Sequence, residues 1–350
     1  MDINQAKDIV IKAGKELVAR GLIARTWGNV SQRLDEKTML ITPSGRDYLS
    51  LTPAVIVPVD IATLEYSGEV KPSSEKAVHA SCYRIKNAQF VIHTHQLYAS
   101  VVSACGIDSF ETDKKFNLLG GRVIAAGYGL PGTKKLNENI EIALAQTNGH
   151  AVIMKHHGAL CFGSSFEETF EAAKQLEDAC KVYIEEKFKQ VSGEKYADPT
   201  AMAKFALALN GILVEQLETR GIELNSNKRE NAVINTELEV VALSYLKKPL
   251  RPMVDDFAQI VGTKMKDGGD SVDRRTRILK HAGAVFVKGV GAICAGPTQD
   301  DAKAVSMILE KNCMAYIGAS LHGKVKPINR FESRLMRTVY KMKYSKQINK

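Results

Sequence analysis

The spacing of apolar positions predicts a helix at the start of the chain. In MDINQAKDIVIKAGKELVAR, Ile9, Ala13, Leu17 and Val18 fall on one side of a 3.6-residue repeat. Short β-branched runs follow: TMLITPSG and AVIVPVD read as strands, SSEKAVHASCYRIKN as a helix and AQFVIHTH as a buried strand. HAVIMKHHGALCFG reads as a further strand ending at glycine. SSFEETFEAAKQLEDACKVYIEEKF reads as a long helix opened by a capping box of Ser165 and Glu168. This alternation belongs to the α/β class. The polar stretch VSGEKYADPT, residues 191–200, is the expected boundary, dividing the 350 residues into units 1–195 and 200–350, each long enough to bury a core.

The pattern also repeats itself. AVIMKHHGALCFGSSFEETFEAAKQLEDACKVYI, from Ala151, lies over AVFVKGVGAICAGPTQDDAKAVSMILEKNCMAYI, from Ala284, without a gap at an offset of 133, and 12 of 34 positions are identical. VIHTHQL at Val91 is echoed by VINTEL at Val233, an offset of 142. Self-similarity of this kind predicts a duplicated supersecondary unit. In this alignment His93 becomes Asn235, His95 becomes Glu237 and His157 becomes Val290, while the apolar frame persists. Loss of three histidines as a set suggests a shared role given up in the second half.

Composition narrows the class. With 45% hydrophobic and 25% charged residues and no apolar run near membrane-helix length, the chain is expected to be soluble. The N-terminus lacks the form of a signal peptide, and six scattered cysteines without a CxxC spacing suit reduced thiols, so a cytoplasmic location is expected. The net charge of +9 is concentrated in the tail, where Lys324 to Lys350 carry nine Lys/Arg against Glu332 alone. A solvated basic helix or attraction of an anionic substrate explains this. No nucleic-acid motif accompanies it, and neither a nucleic-acid nor a membrane partner is expected.

The chemistry gathers on the histidines. On a strand, residues 93 and 95 share a face about 7 Å apart, so two imidazoles can converge on one ion. An isolated HxH is equally consistent with a satisfied pair in a core. His157 before Gly158 offers a third imidazole, which would leave an open position on a zinc-like ion. His156 would point to the opposite strand face, in a structural or supporting role. His79, His150, His281 and His322 are read as ordinary packing or surface residues.

The motifs TWGNVS, TPSG, PSSE, HTH and HHG, in this order over roughly residues 5–190, resemble the class II aldolase and adducin family. The resemblance implies a layered α/β/α fold with a central, mainly antiparallel sheet, here duplicated in tandem with a truncated, degenerate second copy. It implies that His93, His95 and His157 ligate Zn2+, or another divalent ion such as Mn2+, Co2+ or Fe2+, and that Glu75 is the general acid/base. A metal-chelated ketose phosphate would then lose a proton or a C–C bond through a stabilised enediolate. Taken alone, Glu75 is a solvated acid at a helix N-terminus. Gly28, Asn29, Ser44, Gly45, Ser73 and Ser74 are implied to bind the substrate phosphate, Ser73 and Ser74 from a helix start. By themselves these are small donors in turns and caps.

The family's acid tyrosine has no evident counterpart. FETDKKFNLLGG offers Asp113, Lys114 and Lys115, and Tyr128, Tyr340 and Tyr344 are the candidates. The leading expectation is a metal-dependent aldolase cleaving a phosphorylated sugar or ketose, with a sugar-phosphate 4-epimerase or dehydratase on the same platform as the alternative. An adducin-like, non-catalytic interaction module is the alternative of another class. A homo-oligomer is expected, and the tail helix with Phe331, Leu335, Val339 and Met342 on one face is expected to dock on another protomer.

Overall fold

The computed structural model describes residues 2–23, 27–217, 231–323 and 325–344, with the side chains of 343 and 344 excluded. Contacts divide the chain into two compact units. Of the described residues, one unit comprises the chain to Ser103 together with Ile107–Lys181, and the other comprises Ala104–Gly106 and residues 182–344.

The first unit opens with α1 (Ile3–Ala19), whose first free N–H groups, those of Asn4 and Gln5, are taken up by the Asp2 carboxylate at 3.0 and 3.2 Å. Its buried stripe is Ala6, Val10, Ala13, Gly14 and Leu17, so Ile9 and Val18 flank the packed face instead of forming it. Strands β1 (Asn29–Arg33), β2 (Thr38–Ile41), β3 (Val57–Asp60), β4 (Phe90–Thr94), β5 (Ser109–Glu111), β6 (Arg122–Ala126), β7 (Ala151–Met154) and β8 (Gly158–Gly163) form one sheet in the order β3-β2-β1-β4-β8-β7-β6-β5. Only β6 and β7 pair in parallel. The mixed, mainly antiparallel sheet of an α/β fold is thus present.

Helices α2 (Lys76–Lys86) and α4 (Lys134–Gln146) bury Val78, Ala80, Cys82, Leu136, Ile140 and Leu144 against Met39, Ile41, Val91, Leu160 and Phe162 of one sheet face. Helix α3 (Leu97–Ser103), α1 and the long α5 (Phe166–Ser192) pack on the sheet as well. With both sides of the central strands covered, β4 and β8 are apolar throughout and buried at every position.

Two local expectations change. HAVIMKHHGALCFG is not one strand but the β7–β8 hairpin, whose turn holds His156 at φ 60° and is closed by His157 N–H donating to Met154 O at 3.0 Å. At the start of α5, Glu168 N–H donates to Ser165 Oγ, but the Glu168 carboxylate accepts from Ser164, so only half of a capping box forms there.

The second unit contains α6 (Pro199–Leu209), β9 (Ala232–Asn235), α7 (Leu238–Leu243), α8 (Val272–Leu279), β10 (Ala284–Val287), β11 (Gly291–Ala295), α9 (Gln299–Leu321) and α10 (Arg330–Val339). Its three strands form an antiparallel sheet in the order β10-β11-β9. Here the capping box is complete, between Thr298 and Asp301. On α10 and the turn after it Phe331, Leu335 and Met342 are 75%, 41% and 67% exposed, while Ser333 and Met336 are buried. The basic run beyond residue 344 and the side chain of Tyr344 lie outside the described residues. No helix among the described residues is long and apolar enough to cross a membrane.

Hydrogen-bond register refines the internal alignment. Thr94 pairs with Ala159 in β8, and Asn235 pairs with Ala292 in β11, which answers to Ala159 at the offset of 133. Asn235 therefore stands where Thr94 stands, and His93 and His95 are answered by Ile234 and Thr236 instead of Asn235 and Glu237. The helix starts agree, Leu97 for α3 and Leu238 for α7. A one-residue slip is invisible in the sequence but exchanges sheet faces.

Candidate metal centre

Three elements deliver the imidazoles. His93 is on the central strand β4, where cross-strand pairing sets it beside Asn29 of β1. His95 follows the last residue of β4 and is pinned by its N–H to Leu22 O at 2.9 Å. His157 comes from the β7–β8 turn. All three are buried, at 1%, 6% and 4% exposure, and their ring nitrogens lie within 4.8 Å of one another. The Nε2 atoms of His93 and His95 are 2.9 Å apart, and the rings of His93 and His157 stack at 4.7 Å.

The donor set suits a divalent ion. His93 Nδ1 donates to Ala159 O at 2.9 Å, which leaves Nε2 as the lone-pair nitrogen facing the cluster. Burial holds the His93 imidazole well below its ordinary value, in the neutral form that a metal requires, against the pull of Glu75. Close approach at Gly158 makes the geometry possible: a Cβ there would stand 2.2 Å from Thr94 O and 3.3 Å from His93 Cε1. Gly28, at φ +90°, likewise lies against His93 O, and Tyr48 OH donates to Gly28 O at 2.6 Å to hold that turn.

Glu75 is the N-cap residue of α2, so Ser73 and Ser74 occupy the turn before the helix instead of its first positions. Its carboxylate is no solvated helix-end acid. It is 7% exposed, with Oε1 3.0 Å from His157 Nε2 and Oε2 3.5 Å from His93 Nε2. Burial alone would raise its pKa, but His93 and His157, with N–H donors from His157 and Asn29, hold it well below the usual carboxylate range.

Behind Glu75 lies a buried hydrogen-bond relay that the sequence reading missed. Asn29 Nδ2 donates to Glu75 Oε2 at 2.9 Å, and His79 Nε2 donates to Asn29 Oδ1. His79 Nδ1 then accepts from Ser31 Oγ at 2.6 Å, and Ser31 Oγ accepts from Tyr83 OH at 2.6 Å. Each partner's donor and acceptor is used once, which fixes the direction of the whole chain. The available signal was the i, i+4 spacing of Glu75 and His79, which stacks them on one helix face. His79 is thus no ordinary packing residue.

The other predicted residues are brought near by backbone pairing. Ser73 N–H donates to Thr42 O at 3.0 Å, Ser44 N–H to Lys71 O at 2.9 Å, and Val30 N–H to Thr42 Oγ1 at 3.2 Å. The turns carrying Gly28–Asn29, Ser44–Gly45 and Ser73–Ser74 are therefore neighbours, although the Asn29 carboxamide is committed to Glu75 and His79. Asp113, Lys114 and Lys115 are exposed. Tyr128 meets His156 edge-on at 5.6 Å.

The pattern of the Class II Aldolase and Adducin N-terminal domain matches residues 8–184. The chain belongs to this family. It is 31% identical to L-fuculose phosphate aldolase of Escherichia coli (strain K12) over 186 residues, covering 53% of this chain and 85% of that one. It is 26% identical to 5-deoxy-D-ribulose 1-phosphate aldolase of Bacillus thuringiensis serovar kurstaki over 189 residues, covering 53% and 88%. A 3-oxo-tetronate 4-phosphate decarboxylase of Haemophilus influenzae is 26% identical over 185 residues, covering 51% and 86%. A solved L-fuculose 1-phosphate aldolase structure covers 56% of this chain and 91% of its own at 31% identity and a TM-score of 0.49. Family membership and the three-histidine cluster together support a metal-dependent class II aldolase mechanism, with a cluster able to coordinate a divalent ion.

Proposed function

We propose that the first unit is a lyase that cleaves a carbon–carbon bond of a small phosphorylated ketose, with His93, His95 and His157 holding Zn2+ or a similar divalent ion. The observation that carries this reading is the single wall formed by three buried imidazoles and the Glu75 carboxylate, 3.0 Å from His157. A bound ion supplies Lewis-acid polarisation of the substrate carbonyl and stabilises the negative charge left when the bond breaks. Glu75 carries the proton to and from the carbon beside that carbonyl, and the relay through Asn29 and His79 holds its carboxylate in place. The Ser44, Ser73 and Ser74 hydroxyls and the remaining N–H groups of the turns at Gly28–Asn29, Ser44–Gly45 and Ser73–Ser74 receive the phosphate, the N–H groups of Ser44 and Ser73 being taken by Lys71 O and Thr42 O. Burial of the cluster keeps bulk water from the developing charge.

The second unit, residues 200–350 beside a catalytic unit 1–195, is read as a truncated, degenerate copy. Three parallels support this. Strands β9, β11 and β10 repeat the order of β4, β8 and β7. The gap left by Gly158 over Thr94 O recurs at Gly291 over Asn235 O, and Gly163 and Gly296 pack against Glu168 and Asp301. A homo-oligomer is supported by the exposed row of Phe331, Leu335 and Met342, and a reducing compartment such as the cytoplasm by six buried cysteine thiols.

Metal content of the purified protein and cleavage of ketose 1-phosphates test the reading together. His93→Ala with His157→Ala should abolish stoichiometric metal, and Glu75→Gln should retain metal but lose turnover. Full turnover by Glu75→Gln would remove its role. Inversion of a carbinol or loss of water, without aldehyde release, would replace the lyase with the epimerase or dehydratase. Metal-free protein without activity on any sugar phosphate would favour the adducin-like module.

A further inference from the structure

The second unit contains a cavity of about 410 Å³ lined by Lys264, Lys266, Arg277, His281, Arg337 and Lys341, and no carboxylate is among its lining residues. We propose that this cavity is a binding site for a small, multiply charged phosphate compound, a phosphate monoester or a pyrophosphate-type anion.

Three separate stretches of chain converge on it, and each is anchored by its backbone or by buried neighbours. Met265 is fully buried, and its N–H donates to Leu250 O at 2.8 Å, so the flanking Lys264 and Lys266 are turned to the exposed side. The carbonyl of Lys266 accepts from Phe286 N–H at 3.0 Å, tying this stretch to β10. Arg277 lies in the last turn of α8, and His281 follows just beyond the helix end, its N–H donating to Ile278 O at 3.0 Å. Arg337 on α10 is half-buried and donates to the carbonyls of Gln259 and Ile260, which orients its guanidinium, and Lys341 follows one turn later. Ile278 and Ala282 supply apolar wall.

Five lysine and arginine cations and an imidazole around one concavity repel one another, and an anion within it removes that repulsion. Concavity of this size suits a compact ligand, whereas a polyanionic chain is met by an open stripe. The cavity is no remnant of a lost metal centre. Ala282 precedes β10, whereas Val290, the position answering to His157, follows it, so the two places lie at opposite ends of the strand.

The test is calorimetric titration of the full chain at low ionic strength with pyrophosphate, inorganic phosphate and a hexose phosphate. Lys266→Gln with Arg277→Gln removes two exposed cavity cations, and Lys247→Gln with Lys248→Gln removes two exposed lysines of the same unit outside it. The cavity variant should bind at least one of the three anions about tenfold or more weakly, with the control within about twofold. Parallel titrations in the His93→Ala background should show the same loss, which separates this site from any phosphate held by the first unit. The proposal is overturned if none of the three anions binds, if the cavity variant binds as the wild type does, or if both pairs weaken binding equally. A result in which only an RNA oligomer or heparin responds to the cavity variant also overturns it, in favour of a polyanion surface.

Discussion

Replacement of His79 by leucine probes the relay behind Glu75 directly. His79 is fully buried, and burial, opposed by Glu75, pushes its imidazole down to about 4 from an ordinary 6.5. The fold keeps the ring neutral where the unfolded chain protonates it. Between these two values the unfolded state binds more protons, so the stability this group provides is complete above pH 6.5 and is lost as pH falls towards 4. Its share of the loss is about 2 kcal/mol at pH 5 and about 3 kcal/mol at pH 4. At pH 8 the substitution strands Asn29 Oδ1 and the Ser31 hydroxyl, at roughly 1–3 kcal/mol each, offset by roughly 1–2 kcal/mol from burying the leucine. Net destabilisation of about 1–4 kcal/mol is expected there. Trp27 is the sole tryptophan and belongs to the first unit, so its fluorescence during urea denaturation follows that unit even though the chain has two. The variant should be less stable at pH 8, and its decline from pH 8 to pH 5 should be shallower by about 2 kcal/mol. An unchanged decline, or full stability at pH 8, would refute the directed relay.

Other outcomes follow from the same geometry. Gly158→Ala should destabilise the first unit by about 2 kcal/mol or more and weaken metal retention, because its Cβ would meet Thr94 O at 2.2 Å; equilibrium denaturation and metal analysis measure both. Chelation should lower the melting temperature of wild-type protein, since an ion present at a thousandfold its dissociation constant contributes about 4 kcal/mol, and should leave the His93→Ala, His157→Ala variant unmoved. Glu310 in the second unit is raised to about 7 by burial and by Glu239 and Glu237. Its protonated form is favoured by the fold, so this contribution is present below pH 4.5 and lost as pH rises through 7. Glu310→Gln should therefore be more stable than wild type by about 1 kcal/mol at pH 8, after discounting for partial exposure, and equal to it at pH 4 in thermal melts.

The histidines could be found without coordinates because they violate the composition of their surroundings. An apolar β-branched run has no local reason to hold His93 and His95, and the echo of that run in the second half keeps the frame and drops the imidazoles. The placement of most strands and helices followed similarly from periodicity. Three features did not. The division of HAVIMKHHGALCFG into two strands depends on a left-handed residue at His156, a conformation uncommon outside glycine that the residue type does not announce. The slip that sets Asn235 opposite Ala292 is decided by inter-strand hydrogen bonds, which leave no trace in the order of residues. His79 looked like any helix residue until β1 supplied Asn29 and Ser31 as its partners.

By itself the sequence determined which side chains could bind a metal, that the aligned stretch of the second half has no histidine at the matching positions, and where most helices and strands run. Those properties are local, set by residue type and by repeats of two or 3.6 positions. Only the tertiary structure decided that Glu75 is a buried anion instead of a solvated cap and that Asn29 is occupied in holding it. Only there, too, did basic residues from positions 264 to 341 meet in one cavity. The physical reason is that burial and hydrogen-bond partnership are properties of pairs far apart in the chain, and it is these pairs that set charge state and orientation.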